Sequence, residues 1–121
     1  MEKLSEDLKN AITQIKPAMV ATVNSAGQPN VSPKGSLRVL DDQHLVFAEI
    51  RSPQTINNLR ENPQISIIGF DPTSRKGWRV WGKVAEILAS GNLYEQFCSE
   101  YAGKGKVNHV VTISVEGGIV F

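Results

Sequence analysis

The hydrophobic positions change period along the chain, and each change marks an element. Leu4, Leu8, Ile12 and Ile15 are spaced four, four and three apart, with Lys3, Glu6, Asp7 and Lys9 among them. That spacing predicts an amphipathic helix, closed by Pro17. Ala18-Met19-Val20-Ala21-Thr22-Val23 then reads as a buried strand, followed by the dense turn signal Asn24-Ser25-Ala26-Gly27-Gln28-Pro29. A second strand starts at Pro29-Asn30-Val31-Ser32-Pro33 and continues through Leu37-Arg38-Val39-Leu40. Asp41-Asp42 turns it into a third, apolar strand over residues 44–50. Pro33 marks an edge, bend or bulge in the second strand, a place that leaves backbone groups free for a ligand.

Downstream, residues 64–70 read as a fourth strand and 71–77 as a polar loop. Residues 78–88 form a fifth, longer strand with Gly82 as a candidate bulge. Leu93, Tyr94, Phe97 and Tyr101 carry a helical pattern with an aromatic face, and residues 107–115 alternate as a sixth strand. Six strands joined mostly by short turns do not describe a doubly wound parallel sheet. They predict a mainly β (α+β) fold, a six-stranded antiparallel split β-barrel with short flanking helices, as a single domain over residues 1–121. A barrel of this size fills its interior with side chains, so a ligand sits outside it or at an interface between subunits.

Composition narrows the function classes. Thirteen Lys plus Arg stand against twelve Asp plus Glu, which leaves no broad electrostatic footprint for nucleic acid. Arg75-Lys76 and Lys104-Gly105-Lys106 read as solvated loop residues. Cys98 is the only cysteine, which excludes an internal disulfide and a thiol-rich metal cage; beside Tyr94 and Phe97 it reads as a buried structural thiol on a helix. No run is long enough to span a bilayer, and the charge-mixed residues 1–7 lack an apolar signal core, so a cytoplasmic location is expected. His44 and His109 have no spacing to carboxylates that would make a metal set, and no nucleophile elbow points to a hydrolase.

The chemistry concentrates after the third strand, in Ser52-Pro53-Gln54-Thr55-Ile56-Asn57-Asn58-Leu59-Arg60-Glu61-Asn62-Pro63. Ser52 suits a helix N-cap, Pro53 suits the first helical position, and Pro63 ends the segment. Its first turn offers N–H groups, the Ser52 and Thr55 hydroxyls and the Gln54 amide, a place to hold a phosphate. Upstream, Val31-Ser32-Pro33-Lys34-Gly35-Ser36 adds a lysine, two hydroxyls and a glycine that lets a ligand approach the backbone. Together these predict a phosphorylated cofactor. Trp78 and Trp81, three apart in a strand, face opposite sides, so one is core and the other is free to meet a ligand or a second subunit.

The order of these elements resembles the flavin-binding split-barrel superfamily of pyridoxamine 5'-phosphate oxidase, in its short single-domain members. The resemblance rests on Lys34-Gly35-Ser36-Leu37-Arg38-Val39-Leu40-Asp41-Asp42, Leu45-Val46-Phe47, residues 52–59, Asn62-Pro63 and Trp78-Arg79-Val80-Trp81-Gly82-Lys83-Val84. It implies a homodimer with two FMN molecules in clefts between subunits. Val31, Ser32, Pro33 and Lys34 would face the flavin and its phosphate. The backbone of Ala48, Glu49 and Ile50 would run beside the ring, while Ser52, Gln54, Thr55 and Asn58 would hold the phosphate. Arg79, Trp78 or Trp81 would approach from the partner subunit.

Two departures qualify what is implied. Gln54 stands where the family often has a basic residue, so Lys34 becomes the leading phosphate counter-charge. The chain also ends at Gly117-Gly118-Ile119-Val120-Phe121, without the longer Arg- and His-bearing segment of the full oxidase, which argues against true pyridoxamine phosphate oxidase activity. The expectation is an FMN-dependent oxidoreductase with a small-molecule redox partner and no side chain singled out as catalytic. Alternatives are an electron-transfer or flavin-storage protein, or a binder of a deazaflavin cofactor or haem, with haem disfavoured by the scarcity of histidines.

Overall fold

The computed structural model describes residues 3–121; Met1 and Glu2, the first of the charge-mixed N-terminal residues, lie outside these. The elements run α1 (Glu6–Gln14), β1 (Ala18–Val23), β2 (Pro29–Lys34), β3 (Arg38–Val39), β4 (His44–Glu49), α2 (Pro53–Glu61), β5 (Gln64–Asp71), β6 (Lys76–Leu88), α3 (Asn92–Glu100) and β7 (His109–Val120). All seven strands join one antiparallel sheet in the order β2-β1-β5-β6-β7-β4-β3.

The expected second strand is therefore two strands. β2 pairs with β1 at one edge of the sheet, and β3 pairs with β4 at the other. Only residues 35–37 separate them, so the chain itself draws the two edges together and curls the sheet into a split barrel. The break follows from the pairing: residues up to Lys34 take β1 as partner and Arg38 and Val39 take β4, while Leu37 between them fills the core at 1% exposure.

The barrel core holds Val20, Leu45, Phe47, Ile67, Trp78, Val80, Val111 and Ile113, with Leu8 and Ile12 from α1 and Ile56 and Leu59 from α2. Each such side chain contributes roughly 1.5–3 kcal/mol by leaving water. Ser5 caps α1 by accepting the Leu8 N–H at 3.2 Å. The unbroken apolar run of β4 is explained by burial on both faces. Leu45 and Phe47 enter the barrel core, whereas Val46 and Ala48 join Phe97, Val107 and Val110 in a second cluster beside α3. The bulge expected at Gly82 is present, as a register shift between Trp81 and Gly82. Trp78 is fully buried and donates its Nε1–H to the Ile15 carbonyl at 3.1 Å, while Trp81 is exposed.

The outer face carries an exposed row that is apolar except for Arg79. Pro33 pairs with Met19, Met19 with Ile68, Ile68 with Arg79 and Arg79 with Ile119, and all five side chains are exposed. Phe70 and Phe121 stack beside it, with ring centroids 6.3 Å apart. Among the described residues, no helix is long and apolar enough to cross a membrane.

Candidate functional site

Two adjoining clefts open where β2, the end of β4 and the start of α2 converge. The larger, about 480 Å³, is lined by residues 32–36, Ala48, Ile50, Arg51, Tyr101 and Lys104. The smaller, about 280 Å³, is lined by Asn30, Val31, Ser32, Pro33, residues 51–54 and Asn57. Ser32, Pro33 and Arg51 are common to both. Lys34, Arg51 and Lys104 line these clefts and no acidic residue does, so the pair is suited to an anion.

The start of α2 strengthens that preference. Pro53 occupies the first turn as expected, and Ser52 stands at the cap position, but its hydroxyl makes no capping bond. Ser52 Oγ and Thr55 Oγ1 are instead buried without a hydrogen-bond partner, and Thr55 is 0% exposed. A buried hydroxyl left unpaired is costly, and native folds keep few of them. α1 carries Glu6 and Asp7 in its first turn, whereas α2 carries no acid there. The positive end of the α2 dipole is thus unopposed by side chains of its own first turn.

The side chains named by the sequence divide into three groups. Val31, Ser32, Pro33, Lys34, Ala48, Ile50, Ser52 and Gln54 line the clefts. Thr55, Asn58 and Glu49 are buried close by in the chain, at 0%, 1% and 2% exposure. Asn58 is tied into the fold, donating to Thr22 Oγ1 at 3.1 Å and accepting from Gln54 Nε2 at 2.7 Å. Arg79 lies on the outer face, its guanidinium 5.3 Å from the Trp81 ring centroid, and lines neither cleft.

Lys34 is enclosed, with Nζ donating to Ser32 Oγ at 2.6 Å and lying 6.0 Å from the Phe47 ring centroid. Burial lowers its pKa below the ordinary lysine value, and the Glu49 carboxylate partly opposes that. Glu49 accepts the Ser52 N–H at 3.1 Å and lies 2.8 Å from His109 Nδ1.

Three residues that the sequence does not single out as site candidates, Arg51, Tyr101 and Lys104, also line the larger cleft. Arg51 directly precedes Ser52 and lines both clefts. Tyr101 and Lys104 come from the end of α3 and the following loop, where Lys104 Nζ lies 5.5 Å from the Tyr101 ring centroid. Ser36, in the sequence a hydroxyl close to Lys34, lines the larger cleft as well. The lysine read as a solvated loop residue at 104 is exposed, yet it lines the cleft.

The pyridoxamine 5'-phosphate oxidase family model matches residues 4–115. A tagged HupZ from Group A Streptococcus is 34% identical with a TM-score of 0.86, over 98% of this chain and 94% of that one. An FMN-binding protein from Syntrophomonas wolfei subsp. wolfei is 13% identical with a TM-score of 0.82, over 93% and 82% of the two chains. The heme storage protein HutZ from Vibrio cholerae is 20% identical with a TM-score of 0.73, over 98% and 94%. An F420 reductase, 18% identical, also shares the fold. No curated protein matches this chain. The split barrel, the ordered sequence elements and the extent of the match place the chain in the pyridoxamine 5'-phosphate oxidase family.

Proposed function

We propose that residues 1–121 form one FMN-binding domain of a cytoplasmic homodimer that acts as an oxidoreductase on a small substrate. The observation that carries this reading is the pair of buried, unpartnered hydroxyls, Ser52 Oγ and Thr55 Oγ1, in a helix first turn without acid. A phosphate oxygen would satisfy both, and Arg51 and Lys34 would balance its charge. The ring would then occupy the larger cleft between Lys34, Ala48, Ile50 and Tyr101. FMN supplies the redox chemistry when bound; the protein contributes binding, orientation and exclusion of water.

The homodimer is supported by the exposed, mainly apolar row, which ends at the cleft residue Pro33. A two-fold axis between Met19 and Ile68 would set Met19 against the partner's Ile68 and Pro33 against the partner's Arg79. That would bring a cation and an indole face to the flavin from across the interface.

The alternatives are weighed by the same residues. No histidine, cysteine or methionine lines the two clefts, so haem would find a phenol or an amine as its iron ligand. A deazaflavin carries a phosphate too and would use the same first turn. An electron carrier or flavin store would bind FMN without turning over a substrate. The test is the visible spectrum of the purified protein, with mass determination of whatever heat releases. A yellow protein releasing FMN supports the reading; a different released mass, or a colourless protein that takes up no added FMN, overturns it. Turnover of the bound flavin with organic donors and acceptors separates the enzyme from the carrier.

A further inference from the structure

Ser36 lies in the break between β2 and β3, lines the larger cleft and is 8% exposed. β3 pairs with β4 at Val39–Leu45 and Arg38–Val46 and goes no further. Beyond that point the Ser36 side chain takes over from the ladder. Its Oγ accepts the Ala48 N–H at 2.9 Å. The backbone donor of Ala48 is therefore occupied, and the part of this strand end that a ligand meets is the Ser36 hydroxyl.

A hydroxyl has one proton to donate and two acceptor sites. Ala48 N–H uses one acceptor site. The proton is left with the Ala48 carbonyl at 3.3 Å, beyond the roughly 2.5–3.0 Å of a well-formed O–H···O bond. Ser36 lines the larger cleft, which offers room for a better partner. Accepting from an N–H also polarises the hydroxyl and makes it a stronger donor.

We propose that Ser36 donates a hydrogen bond to an acceptor atom on the edge of a planar heteroaromatic ring in the larger cleft. The inference rests on the FMN reading, with the ring being that of the flavin. The hydroxyl does two things there. It fixes the ring against the end of β4, and it stabilises negative charge that the ring takes up on reduction. Ser36 thus positions the ring and tunes its potential, with Ala48 N–H setting the direction of the hydroxyl.

The test compares the wild type with Ser36→Ala, Ser36→Cys and Ser36→Thr, each titrated with FMN by calorimetry. The absorption spectrum and midpoint potential of the bound flavin are then recorded. Ser36→Cys keeps the side-chain shape with a somewhat larger atom and a weak acceptor for Ala48 N–H, so it tests the donor even if Ser36→Ala fails to fold. The Ala and Cys variants are expected to raise Kd about three- to tenfold, to shift the flavin bands and to make the potential more negative. Ser36→Thr, with its hydroxyl retained, should restore all three. A wild type that binds FMN while the Ala and Cys variants match it in Kd, spectrum and potential overturns the role of Ser36 alone. A wild type that binds no FMN overturns the cofactor reading and this inference with it.

Discussion

Glu49 and His109 face each other across the β4–β7 pair, with Oε1 of one 2.8 Å from Nδ1 of the other. The carboxylate side chain is 2% exposed and the imidazole 27%. The second carboxylate oxygen accepts the Ser52 N–H at 3.1 Å, and the Asn108 N–H bonds the Glu49 carbonyl at 2.9 Å. The end of β4 is thereby fixed to the entry of α2, and the half-buried ring shields a charge that would be costly alone. Glu49→Ala is expected to cost about 3 kcal/mol of stability, since Ser52 N–H and His109 both lose their acceptor. His109→Ala should cost less, because the imidazole is partly solvated. Urea unfolding of the two variants checks the order; equal losses would mean that the Ser52 bond contributes nothing.

Thr55 separates binding from stability by sign. Its hydroxyl is buried and unpartnered, so Thr55→Val removes a polar group that the free protein cannot satisfy. Stability of the FMN-free protein should hold or rise by up to about 1 kcal/mol, while FMN affinity falls roughly tenfold. Adding Lys34→Ala should deepen the loss of affinity. Thermal melts and FMN titrations on the same variant check both; an unchanged affinity in the double variant would remove the phosphate from α2.

Lys34 gives the cleft a pH dependence. Burial lowers its pKa in the folded protein, with Glu49 opposing. Between that lowered value and the ordinary lysine value of 10.5, the unfolded chain binds more protons than the folded one. Stability of the FMN-free protein therefore gains from Lys34 as pH rises through this window, and the burial cost is felt in full below it. FMN affinity should run the other way, falling as the larger cleft loses the positive charge of Lys34. Lys34→Arg keeps its charge throughout and should abolish the alkaline decline. Titrations from pH 7 upward check this.

Ile68 stands at the middle of the exposed row that leads from Pro33 to Ile119. Ile68→Asp places a charge on the proposed interface without entering the barrel core. Sedimentation should show a monomer that retains its fold and holds FMN more weakly, because the cleft would lose whatever the partner's Arg79 contributes. A dimer unaffected by the change would place the interface elsewhere.

Much of this molecule was legible in the sequence. The periods of α1, β1, β4, β5 and α3 carried their own evidence, and Gly82 marked a bulge where a Cβ would overlap the Ser114 carbonyl. Two features were not legible, for physical reasons. The break at residues 35–37 has no period to read, because whether Pro29 to Leu40 is one strand or two depends on distant partners, β1 and β4. The final strand runs on to Val120 through Gly117 and Gly118, past the end expected at residue 115. Those glycines belong to the strand because the Trp81 ring packs against one and Leu8 against the other, and such contacts lie outside any local pattern. Beside the clefts, the start of α2 at Ser52 and Pro53 was legible because helix-start chemistry is local. Arg51, Tyr101 and Lys104 were missed because loop side chains become neighbours only when the barrel closes.

The central claim is that the first turn of α2 holds the phosphate of a flavin nucleotide. Calorimetric titration of the cofactor-free protein with FMN and, in parallel, with riboflavin tests it most directly, since the two differ only in that phosphate. The account predicts FMN binding tighter than riboflavin by roughly a hundredfold, the worth of one or two charge-assisted hydrogen bonds. Equal affinities, or no binding of either, would contradict it.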